Sequence, residues 1–322
     1  MELRERDEVG QYRVVRALGR GGMGTVYEVE HAKLGVRYAL KVFTLAEGNV
    51  EFFRRRFLAE GKVLARLSHP NIARVFDLDF DETSGFAYFV MDLVHCQDGE
   101  HRTLADLKLG DADESQLIRW FSQMASALDY IHREGIVHRD VKLNNILLDD
   151  RGDVTLSDFG ISRFVDERLR KEVDVSRTIV SLGARRANGN SIIGTEGYMG
   201  PELLRGEEAT AASDVFALGI SFFRLLTGIW YEPGTNAVKL LEPFDSAWSQ
   251  ILPRMMDPDP KKRPVELMPL AGRLKPSSRP WRWLVLAAAA LAFAACVWFA
   301  CFCSHDDAAF YDHLHDLPEC LS

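Results

Sequence analysis

The amino-acid sequence predicts an α+β chain of two lobes, strands first and helices after, followed by a single membrane-spanning helix. Three observations carry this. Short β-branched and aromatic runs dominate up to Met91, three- and four-residue apolar spacing dominates after it, and 21 uncharged residues run from Trp283 to Cys303. A length of 322 residues suits one large bilobed unit with an appendage better than two full domains. Apolar residues at 47% and charged residues at 27% are the proportions of a folded globular protein.

Tyr12–Leu18, Thr25–His31 and Val36–Phe43 read as three antiparallel strands separated by glycine-containing turns. The period then changes: Phe53, Phe57, Glu60, Leu64 and Leu67 recur at helical spacing and stop before Ser68-His69-Pro70. Ile72–Phe80 and Phe86–Met91 form two more strands around a turn at Asp81–Gly85. In the second lobe Leu117, Phe121, Met124, Leu128 and Ile131 mark a long helix.

The apolar run Trp281–Cys303 would cross the roughly 30 Å of a bilayer core at about 1.5 Å rise per residue. It is apolar on every side with Trp near both ends, whereas a buried core helix shows a polar stripe. Lys275, Arg279 and Arg282 precede it, so the positive-inside rule expects residues 1–280 in the cytoplasm and 304–322 outside. Small residues over Ala287–Ala295 offer a packing face for a homodimer. Met1–Gly10 is charged and has no apolar core, so it is not read as a signal peptide.

Five acids of the segment 304–322 account for most of the net charge of −8, so the body is nearly neutral and nucleic-acid binding is not expected. That tail is too short for a folded sensor domain, and His305, His313 and His315 read as parts of a flexible acidic segment. Cys96, Cys296, Cys301, Cys303 and Cys320 form neither a disulfide framework nor a zinc-binding CxxC pair.

The residues that carry chemistry begin with Gly19, Gly21 and Gly24, which with Val26 form a GxGxxGxV between two strands. Glycines let backbone N–H groups approach phosphate oxygens, although a plain hairpin would also use them. A dinucleotide site would need a helix next, and Thr25–Glu30 alternates like a strand. Lys41 interrupts the apolar strand Tyr38–Val42, and an ammonium there needs a partner, either phosphate oxygens or Glu60 on the helix stripe. The most specific segment is His138-Arg139-Asp140-Val141-Lys142-Leu143-Asn144-Asn145, followed by Asp158-Phe159-Gly160. Phosphoryl transfer needs an acceptor for the attacking hydroxyl, cations for the phosphates and oxygen ligands for Mg²⁺; Asp140, Lys142, Asn145 and Asp158 supply that set.

In this order and spacing the motifs resemble the eukaryotic-type (Hanks-type) serine/threonine protein kinase family, bacterial membrane-anchored members in particular, over residues 10–274. The resemblance implies a bilobed kinase fold: a first lobe over about 10–91, a second over about 95–274, then a linker at 275–280 leading to the helix at 281–303, in a bacterial plasma membrane. It implies ATP with Mg²⁺, or Mn²⁺ as the alternative, and protein substrates. Gly19, Gly21 and Gly24 would cover the phosphates, while Val26, Ala39 and Leu147 would enclose adenine. Met91 would lead into the hinge, where backbone groups of Asp92 and Val94 would meet the base. Lys41, paired with Glu60, would hold the α- and β-phosphates. Asp140 would accept the hydroxyl's proton, Lys142 would steady the γ-phosphate, and Asn145 with Asp158 would ligate the metal. Thr195, together with Lys142, gives the Ser/Thr-specific pattern and lines the peptide site. His138, Phe159, Asp214 and a Glu202–Arg263 pair would be structural, with Asp214 opening a helix that braces the catalytic loop.

The chain departs from the family pattern in places. Asp158 to Glu202 is a long activation segment, in which Ser176, Thr178, Ser181 and Ser191 are candidate phosphosites. The closing APE is Gly200-Pro201-Glu202, a change expected to be harmless. His95–Arg102 lengthens the region after the hinge and leaves the ribose-contacting acid open between Asp98 and Glu100. A scaffold without catalysis would lack Lys41, Asp140 or Asp158, and a small-molecule kinase would lack the segment Gly194–Glu202; all are present.

Overall fold

Alternating apolar residues in the first lobe fold into a six-stranded antiparallel sheet: β1 (Glu8–Val9), β2 (Tyr12–Gly21), β3 (Gly24–His31), β4 (Arg37–Thr44), β5 (Val75–Asp81) and β6 (Phe86–Met91), in the order β1-β2-β3-β4-β6-β5. These coordinates are a computed structural model that describes residues 3–21, 24–44, 50–81, 86–94, 102–159, 195–232, 234–244 and 246–275. One face of the sheet carries Val14, Tyr27, Val29, Leu40, Tyr88 and Val90 in a cluster of its own. The other face receives helix α1 (Val50–Leu64), whose Phe57 stacks on Phe89 at 4.5 Å and meets Phe43 edge-on at 5.8 Å. Gly61 allows this close approach, because a Cβ there would stand 2.5 Å from Leu78 Cδ2 and 2.9 Å from Phe89 Cε1.

The expected strand Ile72–Phe80 begins at Val75 instead. The reason is where its first hydrogen bonds go. Leu156 N–H donates to Asn71 O, Ala73 N–H to Leu156 O, and the Asn71 side chain donates to Val154 O at 2.8 Å. Asn71–Ala73 therefore joins the second lobe rather than the first lobe's sheet.

In the second lobe a small sheet of β7 (Arg102–Thr103), β8 (Ile146–Leu148) and β9 (Val154–Leu156) lies beside helix α2 (Glu114–Arg133). The residues predicted for α2 all turn inward: Phe121, Met124, Leu128 and Ile131 are fully buried and Leu117 nearly so. Asp113 caps its first turn by accepting from Gln116 N–H while Gln116 accepts from Asp113 N–H. After α3 (Pro201–Leu204) comes α4 (Ala211–Thr227), apolar nearly all round and buried to match, ending at Gly228 in the left-handed conformation. Then follow α5 (Ala237–Leu241), α6 (Ser246–Met255) and α7 (Met268–Ala271). Trp248 of α6 packs on Phe121 of α2 and Phe222 of α4, tying three helices into one core. No described helix is long and apolar enough to cross a membrane, and the span expected at 281–303 lies outside the described residues.

Candidate active site

The loop after α2 is held by one carboxylate on α4. Asp214 accepts from the backbone N–H groups of His138 at 2.7 Å and Arg139 at 2.8 Å, and its Oδ2 lies 2.9 Å from His132 Nε2. Those bonds stabilise a strained backbone, since Arg139 has φ +70° without being glycine.

His138 is completely buried and ties the loop to the strand leading to Asp158. Its Nδ1 accepts from Asp140 N–H at 3.3 Å, so Nε2 carries the hydrogen and donates to Ser157 O at 3.1 Å. Burial holds the imidazole below its ordinary pKa, outweighing the upward pull of Asp214, Asp140 and Asp158, so the neutral ring is favoured. Its ring packs on Phe159 at 4.7 Å between centroids, and Ser157 returns two hydrogen bonds to Asn145 O.

Asp140 faces the cleft with its Oδ2 already engaged by Lys142 Nζ at 2.7 Å and Asn145 Nδ2 at 2.9 Å. Asn145 Nδ2 also donates to Asp140 O at 2.7 Å. Because both of those partners are acceptors, the amide nitrogen must point at Asp140, which turns Asn145 Oδ1 away as a free oxygen ligand. Across the cleft, Lys41 on β4 lies 2.8 Å from Asp158 Oδ1, and Asp158 itself has φ +60°. The sequence named Glu60 as the partner of Lys41; the structure supplies Asp158, while the side chain of Glu60 lies outside the described residues. Asn145 and Asp158 offer carboxylate and amide oxygens, the donor set a hard divalent cation takes, so the residues present fit Mg²⁺ or Mn²⁺.

The side expected to meet a nucleotide is formed by β2, β3, β4, β6 and β8. Gly19 pairs with Val26 and Gly21 with Gly24, so the glycine motif is a hairpin arm, and a Cβ on Gly24 would sit 1.9 Å from Val42 O. Ala39, Met91 and Leu147 are buried and Val26 is half-buried. Asp92 N–H donates to Arg74 O at 3.0 Å, so its carbonyl is the backbone group left for a base. Asp92 and Val94 lie in the irregular stretch that follows β6.

After the turn Thr195–Tyr198, Glu202 is gripped by Arg263 through two bonds of 2.7 and 2.8 Å and receives Ser213 Oγ at 2.9 Å. Burial pushes its carboxyl up, but the hydrogen bonds from Arg263 and Ser213 outweigh that and hold it below the usual range. Gly200 is accommodated as the sequence expects, and it is more than neutral: a Cβ there would fall 2.4 Å from Glu202 Oε2, so alanine does not fit without moving a fixed carboxylate. Thr195 begins a 3₁₀ turn over Thr195–Tyr198, but its side chain lies outside the described residues. So do Ser176, Thr178, Ser181 and Ser191, together with Asp98 and Glu100.

Sequence reasoning missed His132, Ser157 and the trio Tyr198, Arg224 and Trp230. The Tyr198 hydroxyl accepts from Arg224 Nη1 at 3.1 Å, and Arg224 lies over the Trp230 ring at 4.0 Å.

A protein kinase domain model matches residues 12–267. The serine/threonine-protein kinase PrkC of Bacillus subtilis is 32% identical over 255 residues, which is 77% of this chain and 36% of PrkC. PknA of Mycobacterium tuberculosis, also a serine/threonine-protein kinase, is 35% identical over 222 residues, covering 68% of this chain and 47% of PknA. The chain thus spans well under two thirds of these relatives' length. The kinase domain of Mycobacterium tuberculosis PknI superposes with a TM-score of 0.61 at 26% identity, over 84% of this chain and 98% of that one.

Proposed function

Because the chain belongs to the protein kinase domain family, we propose that it transfers the γ-phosphate of ATP to Ser and Thr hydroxyls of proteins, itself included. We place this activity at the cytoplasmic face of a membrane, on the strength of the uncharged run that residues 283–303 provide. The observation that carries the reaction is the Asp140 carboxylate, with one oxygen held by Lys142 and Asn145 and the loop beneath it fixed by Asp214.

Asp140 Oδ1 is left to accept the hydrogen bond of an acceptor hydroxyl and orient its oxygen toward phosphorus. As the new O–P bond forms and the bond to the β-phosphate oxygen breaks, ADP leaves and the hydroxyl proton passes to Asp140. Lys142, whose ammonium touches Asp140 Oδ2, offsets negative charge gathering on the transferred group. Lys41 has Asp158 as its partner here; nucleotide phosphates give it a new one and free the carboxylate for the cation. Asn145 and Asp158 would hold a divalent cation, which when bound would supply positive charge to offset that of the phosphates.

The test is incorporation of labelled γ-phosphate into the protein and into a general acceptor protein. Asp158→Ala is expected to lower it by roughly 10²-fold or more. Chelation of divalent metal stops it and added Mg²⁺ restores it. Equal incorporation by wild type and Asp158→Ala contradicts the proposal, and nucleotide binding without transfer makes the chain a scaffold.

A further inference from the structure

Arg224 is poorly explained as a structural residue. It stands in the last turn of α4, half-buried, with its guanidinium carbon over the Trp230 ring at 4.0 Å and Nη1 bonded to the Tyr198 hydroxyl at 3.1 Å. Among the described residues no carboxylate pairs with it, unlike Arg263, which holds Glu202, or Arg119, which holds Asp153. A stacked guanidinium retains its charge and in-plane donors while its flat face is covered, the arrangement that suits recognition of carboxylate or phosphate.

Its location connects it to the reaction. Tyr198 closes the segment Thr195–Tyr198 and lines one cavity together with Arg139, Asp140 and Val141 of the catalytic loop. One tyrosine therefore separates Arg224 from the loop that orients the acceptor. Resting on the transfer reaction above, we propose that Arg224 is a specificity-determining residue that selects acceptor segments bearing an acidic or phosphorylated side chain close to the Ser or Thr.

The experiment uses the full chain and peptides with one Ser in a neutral background, with a single Asp, phosphoserine or Lys walked across the flanking positions. The readout is the ratio of kcat/KM for acidic over basic peptides in the same enzyme sample, which cancels any difference in folded fraction. Wild type is expected to favour the acidic peptide by about fivefold or more at one or more positions, carried by KM. Arg224→Glu inverts the ratio at those positions, and Arg224→Lys keeps its sign. An identical ratio in wild type and Arg224→Glu at every position overturns the proposal. Absence of transfer to every peptide and to the chain itself defeats the transfer reaction, a failure distinct from transfer that ignores charge.

Discussion

At Gly200 the space a methyl group would fill is already taken by the Glu202 carboxylate, 2.4 Å from the ideal Cβ position. That carboxylate cannot swing aside, because Arg263 grips both oxygens and Ser213 donates to one of them. Gly200→Ala is therefore expected to cost about 1–3 kcal/mol in a urea titration, and a neutral result would show that the pair can shift as a unit. Glu202→Gln leaves Arg263 buried without its countercharge and is expected to cost about 3–5 kcal/mol by the same measurement. The sequence named the Glu202–Arg263 pair from its motifs and marked Gly200 only as a harmless departure from the family's alanine. Glycine in place of alanine looks neutral until the position of the carboxylate is known.

At the scale of elements, α4 and α2 meet the catalytic loop through Asp214 and His132. Asp214→Asn offers the two backbone N–H groups only one carbonyl oxygen, so the loop loses a support just below Asp140. The expected outcome is a lower kcat with little change in ATP affinity, checked by initial rates beside nucleotide titration; an equal loss in both would place the damage elsewhere.

One buried histidine and one half-buried one give the elements a pH signature. His138 and His69 are both held below their ordinary pKa by burial, so on unfolding they take up protons that the fold refuses. The stability they contribute is complete above about pH 6.5 and is lost as pH falls through their folded values. Glu202, also depressed, adds a further loss below about pH 4.5. Urea midpoints measured from pH 7.5 down to 5.5 are expected to fall, and a flat profile would contradict the neutral form of these rings in the fold.

Most of the elements were legible because their apolar periods are local. Val75–Asp81 was started too early because Asn71–Ala73 pairs with β9, more than 80 residues on, and no local pattern encodes that. The same distance hid His132, whose partner Asp214 is 82 residues away.

For the molecule as a whole, the chemistry was legible where residue types recur at fixed spacing: Asp140, Lys142 and Asn145 in one loop, and Asp158 after one strand. What spacing could not show is how the two lobes share their charges, with Lys41 of the first lobe reaching Asp158 of the second. Arg224 was invisible for a related reason: a basic residue in a helix reads as a surface charge until Tyr198 and Trp230 are seen beside it.

The role proposed for Asp140 is to orient the acceptor hydroxyl in a site that binds ATP independently of it. Its most direct test is Asp140→Asn, measured for ATP affinity and for γ-phosphate transfer to Ser or Thr. Nucleotide affinity is expected within about threefold of wild type and transfer lowered by roughly 10²-fold or more. Transfer at the wild-type rate by Asp140→Asn would contradict it.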